Sequence, residues 1–500
     1  MSRAGTAGFS PDGQRRPLGG SAHEDDYTVG AGSGLPERVR RVMVLGASRS
    51  GVAAAEALAR AGVSVTLVDR KAREEIAGLG GLRQRGVVFS TEEEVMSVWP
   101  GVDLVVKSPG VPGEAAVVSG AITKGIAVWS EVELAYALLP NPFDAVTGTN
   151  GKTTTTALLG HLFATAGRPA KVLGNIGTAV TSVAGLVGPK EELVVEVSSF
   201  QLEDVHSFRP AVGVFLNLTP DHLDRHGTME RYLDCKAKLF ARQGPDDVAI
   251  LNLADAAGAD LGERLLRREQ GPRVAFFSVS RHPTGGRTPD SFVSDGYLWL
   301  ERERLLEVGE VPLPGAHNLE NCLAAAAAAF ARGVDRDAIA EGLRSFQGVA
   351  HRLEPVATVD GVLYVNDSKA TNVDATLTAL RAYPRATHLI LGGRDKASDY
   401  RPIARACAQG CAGVYVIGEA ASLIIEAFRR ARSEEGGEGV PEPKRYEDLE
   451  LAMDDVARVA RPGEVVLLAP ACASFDQYGS YEERGDQFRS LARSLQGKSS

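Results

Sequence analysis

Short, continuous apolar runs recur along the chain, each followed by a glycine-containing turn and an alanine-rich stretch of helical character. Such runs suit strands buried on both faces, and their alternation with helices predicts α/β domains on largely parallel sheets. The first unit reads as strand Val42–Leu45, a turn at Gly46, a helix from about Ser50 to Ala61, and a strand Ser64–Val68. A strand Asp103–Lys107 follows and ends in Ser108-Pro109-Gly110. Leu139-Pro140-Asn141-Pro142 cannot continue a helix and is expected to be a linker. A second unit starts at Phe143 with strand Asp144–Thr147, continues through Leu193–Val197 and Val212–Leu216, and runs to about residue 350. Within it, Arg281–Asp290 is a loop by composition. A third unit begins near His351, with strands Val362–Val365, His388–Leu391, Val414–Ile417 and Glu464–Leu468, and a Gly-, Glu- and Pro-rich loop Ser433–Lys444. The expected domains are therefore 39–142, 143–350 and 351–500.

Composition narrows the function classes. The 500 residues are 44% hydrophobic and 24% charged, enough for several cores. A net charge of −9 gives no whole-molecule basic field for nucleic acid, though a local anion site is compatible with it. No run approaches the 18 or so apolar residues of a membrane span. Residues 1–38 lack the order of a secretory signal and are expected to be a disordered extension. Five scattered cysteines fit a reducing cytoplasm, and Cys407 and Cys411 read as small apolar residues because no second pair completes a zinc site. A cytoplasmic monomer is the expectation.

The sharpest local signal is Gly148-Thr149-Asn150-Gly151-Lys152-Thr153-Thr154, between a predicted strand and a predicted helix. Glycines let backbone N–H groups converge on a phosphate, and the helix N-terminus adds positive potential. Lys152 would neutralise β- and γ-phosphates and the Thr153 hydroxyl is placed for Mg²⁺. The spacing is two residues shorter than the general phosphate-loop pattern. Glu196 lies at the carboxyl end of an apolar strand, where open α/β sheets bind ligands. Asp221-His222-Leu223-Asp224-Arg225-His226 follows another strand, and by chemistry alone His222 is equally a metal ligand, a general base or a solvated loop residue. Lys236 by default reads as a helix-surface lysine.

Together with Gly174-Asn175-Ile176-Gly177, Glu196–Glu203, Gly315–Asn321, His351-Arg352 and Asn366–Asn372, these motifs resemble the Mur ligase and folylpolyglutamate synthetase superfamily over residues 40 to 495 or so. The resemblance implies a Rossmann-like UDP-binding domain, a central ATP-binding domain of the phosphate-loop type and a C-terminal Rossmann-like domain. It implies ATP contacts from Gly148, Thr149, Asn150, Gly151, Lys152, Thr153 and Thr154, with His317, Asn318 and Asn321 at adenine and ribose. Arg352, Asp367 and Lys369 would complete the ATP site. Thr153, Glu196, His222 and a carbamylated Lys236 would hold two Mg²⁺ ions, with Lys152, His222 and Lys236 as the catalytic set.

A complete α/β unit before the ATP domain looks like the UDP-binding domain of the muramyl ligases. Its turn Gly46-Ala47-Ser48-Arg49-Ser50-Gly51 lacks the middle glycine of dinucleotide binders. Arg49, Ser50, Asp69, Arg70 and Ser108 are implied at the UDP pocket, and Asn175 and Ser198 as further substrate-binding residues. Asn366–Asn372, Gly392–Lys396 and Pro470–Tyr478 look like the members that add D-glutamate, with Thr371, Lys396 and Ser474 on its carboxylates and Phe475 and Tyr481 close by. The acceptor implied is UDP-N-acetylmuramoyl-L-alanine, activated by ATP as an acyl phosphate. Ala469, where a serine is common, and Arg394 depart from the pattern and bear on the amino-acid pocket. Hinges are expected near Pro140–Pro142 and Gly348–His351. The rival readings are a sister ligase adding another amino acid and a phosphate-loop ATPase without an acceptor.

Overall fold

The computed structural model describes residues 29–496 apart from residues 72, 74, 75, 77, 78, 100, 176, 283–286, 314, 384, 385, 396, 397, 435 and 436. The first 28 residues of the expected extension, and Lys396, lie outside the described residues. The chain forms two compact units, residues through Lys152 with 167–276, and residues 153–166 with 277–500.

The first unit holds two sets of parallel strands. β1 (Arg41–Leu45), β2 (Ser64–Asp69), β3 (Val88–Thr91), β4 (Leu104–Lys107) and β5 (Ala127–Ser130) pair in the order β3-β2-β1-β4-β5. β6 (Phe143–Thr147), β7 (Ala170–Gly174), β8 (Glu192–Glu196), β9 (Val212–Phe215) and β10 (Val248–Asn252) pair in the order β10-β9-β6-β8-β7. Central strands β4, β6, β8 and β9 are buried at every position, as their apolar runs require. In each set the chain leaves the first strand toward both sides, at β1 and at β6. Such switch points open a crevice beyond the carboxyl ends of the strands.

The helix Glu131–Leu138 joins these two sets, and two buried carboxylates in its first turn fix the joint. Glu131 accepts from the Thr181 N–H at 2.6 Å and its hydroxyl at 2.8 Å. Glu133, fully buried, accepts from the N–H groups of His206, Ser207 and Phe208 at 3.0, 2.7 and 3.0 Å. The proline-containing joint that follows is anchored: Asn141 is buried, and its Nδ2 donates to Gly188 O and Glu191 O, both at 2.9 Å. Part of the N-terminal segment straps this joint. Gly32 N donates to Tyr136 O at 3.0 Å, Gly34 N to Ala137 O at 2.8 Å, and Val29 N to Ser207 Oγ at 2.9 Å.

β11 (Arg273–Ser280) carries the chain into the second unit. There it pairs in parallel with β12 (Ser291–Ser294), which continues antiparallel into β13 (Tyr297–Leu300) and β14 (Glu303–Glu307). The alanine-rich helix Ala316–Ala331 buries most of its length, its small side chains permitting close packing. The remaining strands, β15 (Glu354–Val359), β16 (Val362–Asn366), β17 (Thr387–Gly392), β18 (Cys411–Ile417), β19 (Lys444–Arg445) and β20 (Val465–Leu468), lie in the order β15-β16-β20-β17-β18-β19. All pair in parallel except edge strand β15. Among the described residues no helix is long and apolar enough to cross a membrane.

Candidate active site

In the first unit the phosphate-loop residues leave β6 at its switch point. Gly148 has φ 153°, and a Cβ there would stand 2.9 Å from Leu216 Cβ, so a larger residue would push the loop off β9. Asn150 N donates to Asn217 Oδ1 at 2.8 Å, and Thr149 Oγ1 to Thr219 O at 3.2 Å, so the loop rests on the segment after β9. Lys152 curls back over the loop, donating to Gly148 O at 3.0 Å and Thr149 O at 2.8 Å. Gly151 has φ 85° and the helix begins at Lys152.

Lys236 is no surface residue. It is 1% exposed, and its Nζ donates to the same Gly148 O at 2.7 Å while lying 4.5 Å from the centre of the Tyr232 ring. Burial, reinforced by Lys152, holds its ammonium well below the usual lysine range. Tyr232 itself reaches Thr149 Oγ1 at 3.3 Å, and burial raises its phenol to about 12.

Glu196 ends β8 at 2% exposure; Oε1 accepts from Asn175 Nδ2 at 3.2 Å, whereas Oε2 is buried without a hydrogen-bond partner. A buried carboxylate oxygen with no donor is costly unless something else meets it. Ser198 caps the short helix Ser199–Leu202 through a box with Gln201. His222 adopts φ 52°, sits 3.5 Å from Asp221 and lies against Phe200 with ring centres 4.8 Å apart. Phe200, His222, Asn175 and Arg225, with Pro109, Gly110, Pro112 and Glu114, surround a cavity of about 640 Å³. Beside it, Arg49 donates to Gly177 O at 2.9 Å and Ser108 to Gly46 O at 3.1 Å. Asp69 accepts from Ala47 N at 2.6 Å, pinning the turn in which Ser50 follows Arg49. Arg70 turns outward to Glu92 at 3.0 Å.

In the second unit Thr153 and Thr154 are buried, and Lys369 Nζ donates to Thr153 Oγ1 at 3.3 Å. Asn318 and Asn321 are buried and bonded to each other at 3.2 Å, with Thr155 donating to Asn321. His317 has a buried Nε2 without a hydrogen-bond partner, and burial, with Arg352 and Arg381, lowers its imidazolium pKa. Burial pushes Asp367 up to about 7 against the pull of Arg352 and Lys369, while Leu353 N donates to it at 3.2 Å. Thr371 N donates to Lys369 O at 2.8 Å, Ser474 is buried, Phe475 is exposed, and Tyr481 O accepts from Ser368 Oγ at 2.8 Å.

Three features escaped the sequence reading. Arg484 is fully buried and donates to Ser368 O at 2.9 Å, Cys472 O at 3.2 Å and Gly392 O at 3.3 Å, tying together the loops that follow β16, β17 and β20. Tyr232 braces the phosphate loop. Lys107, Glu203 and Arg225 form an ion cluster, for which the one visible signal was a lysine closing an otherwise apolar strand. Among the described residues no three His, Cys, Asp or Glu side chains gather as a ready-made metal cage.

Residues 146–329 match the Mur ligase middle domain, and residues 351–472 match the Mur ligase glutamate ligase domain. The chain is 46% identical over 462 residues to the UDP-N-acetylmuramoylalanine–D-glutamate ligase of Pelotomaculum thermopropionicum, covering 91% of this chain and 98% of that protein. It is 42% identical over 472 residues to the ligase of the same name from Salinibacter ruber, covering 92% and 99%. UDP-N-acetylmuramate–alanine ligase MurC of Thermotoga maritima shares the fold with a TM-score of 0.56 at 18% identity, over 91% of this chain and 100% of that one. MurF ligase from the same organism, solved in complex with ADP, gives a TM-score of 0.54 at 16% identity, over 96% and 100%. With a phosphate loop braced by buried side chains and full-length relatives at this identity, the chain belongs to the Mur ligase family.

Proposed function

We propose that this enzyme joins D-glutamate to UDP-N-acetylmuramoyl-L-alanine in the cytoplasm, using ATP and two Mg²⁺ ions, as a monomer. The observation that carries the reading is its near-full-length identity of 46% to a ligase of that name. Residues 39–142 would bind the UDP end, residues 143–350 ATP, and residues 351–500 the amino acid, with residues 1–38 an extension to that architecture.

The donor set suits Mg²⁺. The bare, buried Oε2 of Glu196 is an oxygen ligand in waiting, and the Thr153 hydroxyl and a carbamate on Lys236 are the kinds of oxygen a hard cation accepts. With few protein ligands, phosphate oxygens and waters would fill the remaining positions. When bound, the metal offsets charge on the transferring phosphoryl group.

The chain's own residues account for the rest. Lys152 holds the β- and γ-phosphates while the acceptor carboxylate attacks the γ-phosphorus, and the bond from that phosphorus to the bridging oxygen of ADP breaks. His317, Asn318 and Asn321 hold adenine and ribose; Arg352, Asp367 and Lys369 complete the ATP site. Thr371, Lys396 and Ser474 orient D-glutamate so that its neutral amine attacks the acyl carbon. Phosphate leaves from the tetrahedral intermediate and the amide nitrogen loses its proton. Charge-assisted hydrogen bonds from a lysine and hydroxyls suit a dicarboxylate.

Phosphate release from ATP tests this with UDP-N-acetylmuramoyl-L-alanine and one amino acid at a time. Release with D-glutamate alone, and a product heavier by one glutamate residue, is expected. Release with another amino acid would retain the ligase chemistry and overturn the assignment of Thr371, Lys396 and Ser474.

A further inference from the structure

The cavity beside His222 has two walls from different parts of the first unit. Pro109, Gly110 and Pro112 follow β4; Phe200, His222 and Arg225 follow β8 and β9. What joins the walls is ionic. Lys107, 1% exposed at the end of β4, sets its Nζ 3.0 Å from Glu203 Oε2 and 2.9 Å from Asp204 Oδ2. Arg225 Nη2 donates to the same Glu203 oxygen at 2.7 Å. Both cations also donate to one backbone carbonyl, Val111 O, from 3.3 Å and 3.1 Å. The Arg225 guanidinium lies 5.0 Å from the Phe200 ring centre, and Phe200 in turn packs on His222.

Two cations and two carboxylates neutralise each other here, and a buried cluster of this kind adds little net stability compared with apolar packing. Its distinctive product is geometry: the carbonyl of Val111 is fixed relative to Phe200. Burial tends to raise the Glu203 carboxyl, but Arg225 and Lys107 outweigh it and keep the group ionised, so the clamp is permanent at neutral pH.

We propose that Lys107, Glu203 and Arg225 are positioning residues for the acceptor, holding the 108–112 loop and the Phe200–His222 wall at the separation the acceptor requires. The proposal rests on the acceptor assigned above. Substrate affinity should then depend on the clamp, while ATP and amino-acid binding should not.

Steady-state kinetics on the full chain test this with R225M, E203Q and the double variant. R225M leaves Glu203 paired with Lys107, so folding is retained. Each single variant is expected to raise KM for UDP-N-acetylmuramoyl-L-alanine about tenfold, the scale of one charge-assisted hydrogen bond, with KM for ATP and D-glutamate within about twofold of wild type. The double variant should fall short of the product of the two effects, because the residues act as a unit. An unchanged acceptor KM, or an equal rise in all three, overturns the proposal. Amide hydrogen exchange without substrates separates the two readings. If wild type does not turn over the acceptor, the assigned reaction fails, and exchange alone decides. Faster exchange across residues 108–115 in R225M then supports the clamp, and wild-type exchange there overturns it.

Discussion

Lys236 is where burial and charge oppose each other most directly. Its ammonium is almost fully out of water, near Lys152, with a carbonyl and an aromatic face as company. Both burial and the neighbouring cation favour the neutral amine, so the folded state loses its proton at a lower pH than the unfolded chain does. The neutral amine is the form that adds carbon dioxide, and the resulting carbamate exchanges a cation for an anionic oxygen ligand. Protein equilibrated with ¹³C-bicarbonate is therefore expected to show a carbamate carbon resonance that K236R lacks. K236R, which keeps the charge but cannot be carbamylated, should lose activity by about 100-fold, the upper range for losing support of a metal site. An identical carbon spectrum for wild type and K236R would end this account. His222 carries a cost of another kind: a left-handed conformation in a residue with a Cβ, worth about 1–2 kcal/mol. Such strain persists where surroundings over-determine it, and the Phe200 contact is part of that restraint.

At the scale of elements, the meeting of β7 and β8 places Glu196. Gly174 ends β7 with φ 111°, and a Cβ there would stand 2.1 Å from Glu196 O, which also accepts from Asn175 N at 3.0 Å. Gly174→Ala should push the strand ends apart, destabilise the protein by about 1–3 kcal/mol in urea unfolding, and lower activity together with stability. Unchanged stability would mean the loop absorbs the methyl without moving β8. The strands that build the crevice were legible because they are continuous apolar runs: Asp144–Thr147 and Leu193–Val197 lie within a residue of β6 and β8. β12 to β14 were not: they pair antiparallel with one another, and each keeps partly or fully exposed positions in place of a fully buried run. β15 begins with Glu354-Pro355, and the proline is tolerated because the strand lies at an edge. The site divides the same way. Glycine and lysine spacing announces Gly148–Thr154, whereas Lys107, Glu203 and Arg225 look like ordinary surface charges until topology brings residues 96 positions apart into contact.

For the whole molecule, two compact units imply that unfolding is not a single event. Each has its own apolar clusters, around Phe143, Leu193 and Phe215 in the first and around Val365, Leu389 and Val465 in the second. Scanning calorimetry is expected to show a calorimetric enthalpy larger than the van't Hoff value, the mark of more than one cooperative unit. Equal enthalpies would show that the units melt together.

The N-terminal strap bears on how the chain is made. Its partners arrive at different times on the ribosome: Tyr136 and Ala137 about a hundred residues later, and Ser207 another seventy after that, 178 positions beyond Val29. At elongation speeds of about 5–20 residues per second, Val29 waits roughly 9–36 s for its last partner. During that interval the parallel strands β1 to β5 can already assemble, so the strap seals a fold that exists before it docks. Residues 29–34 are therefore fastened after the strands β1 to β5 have been made, not along with them.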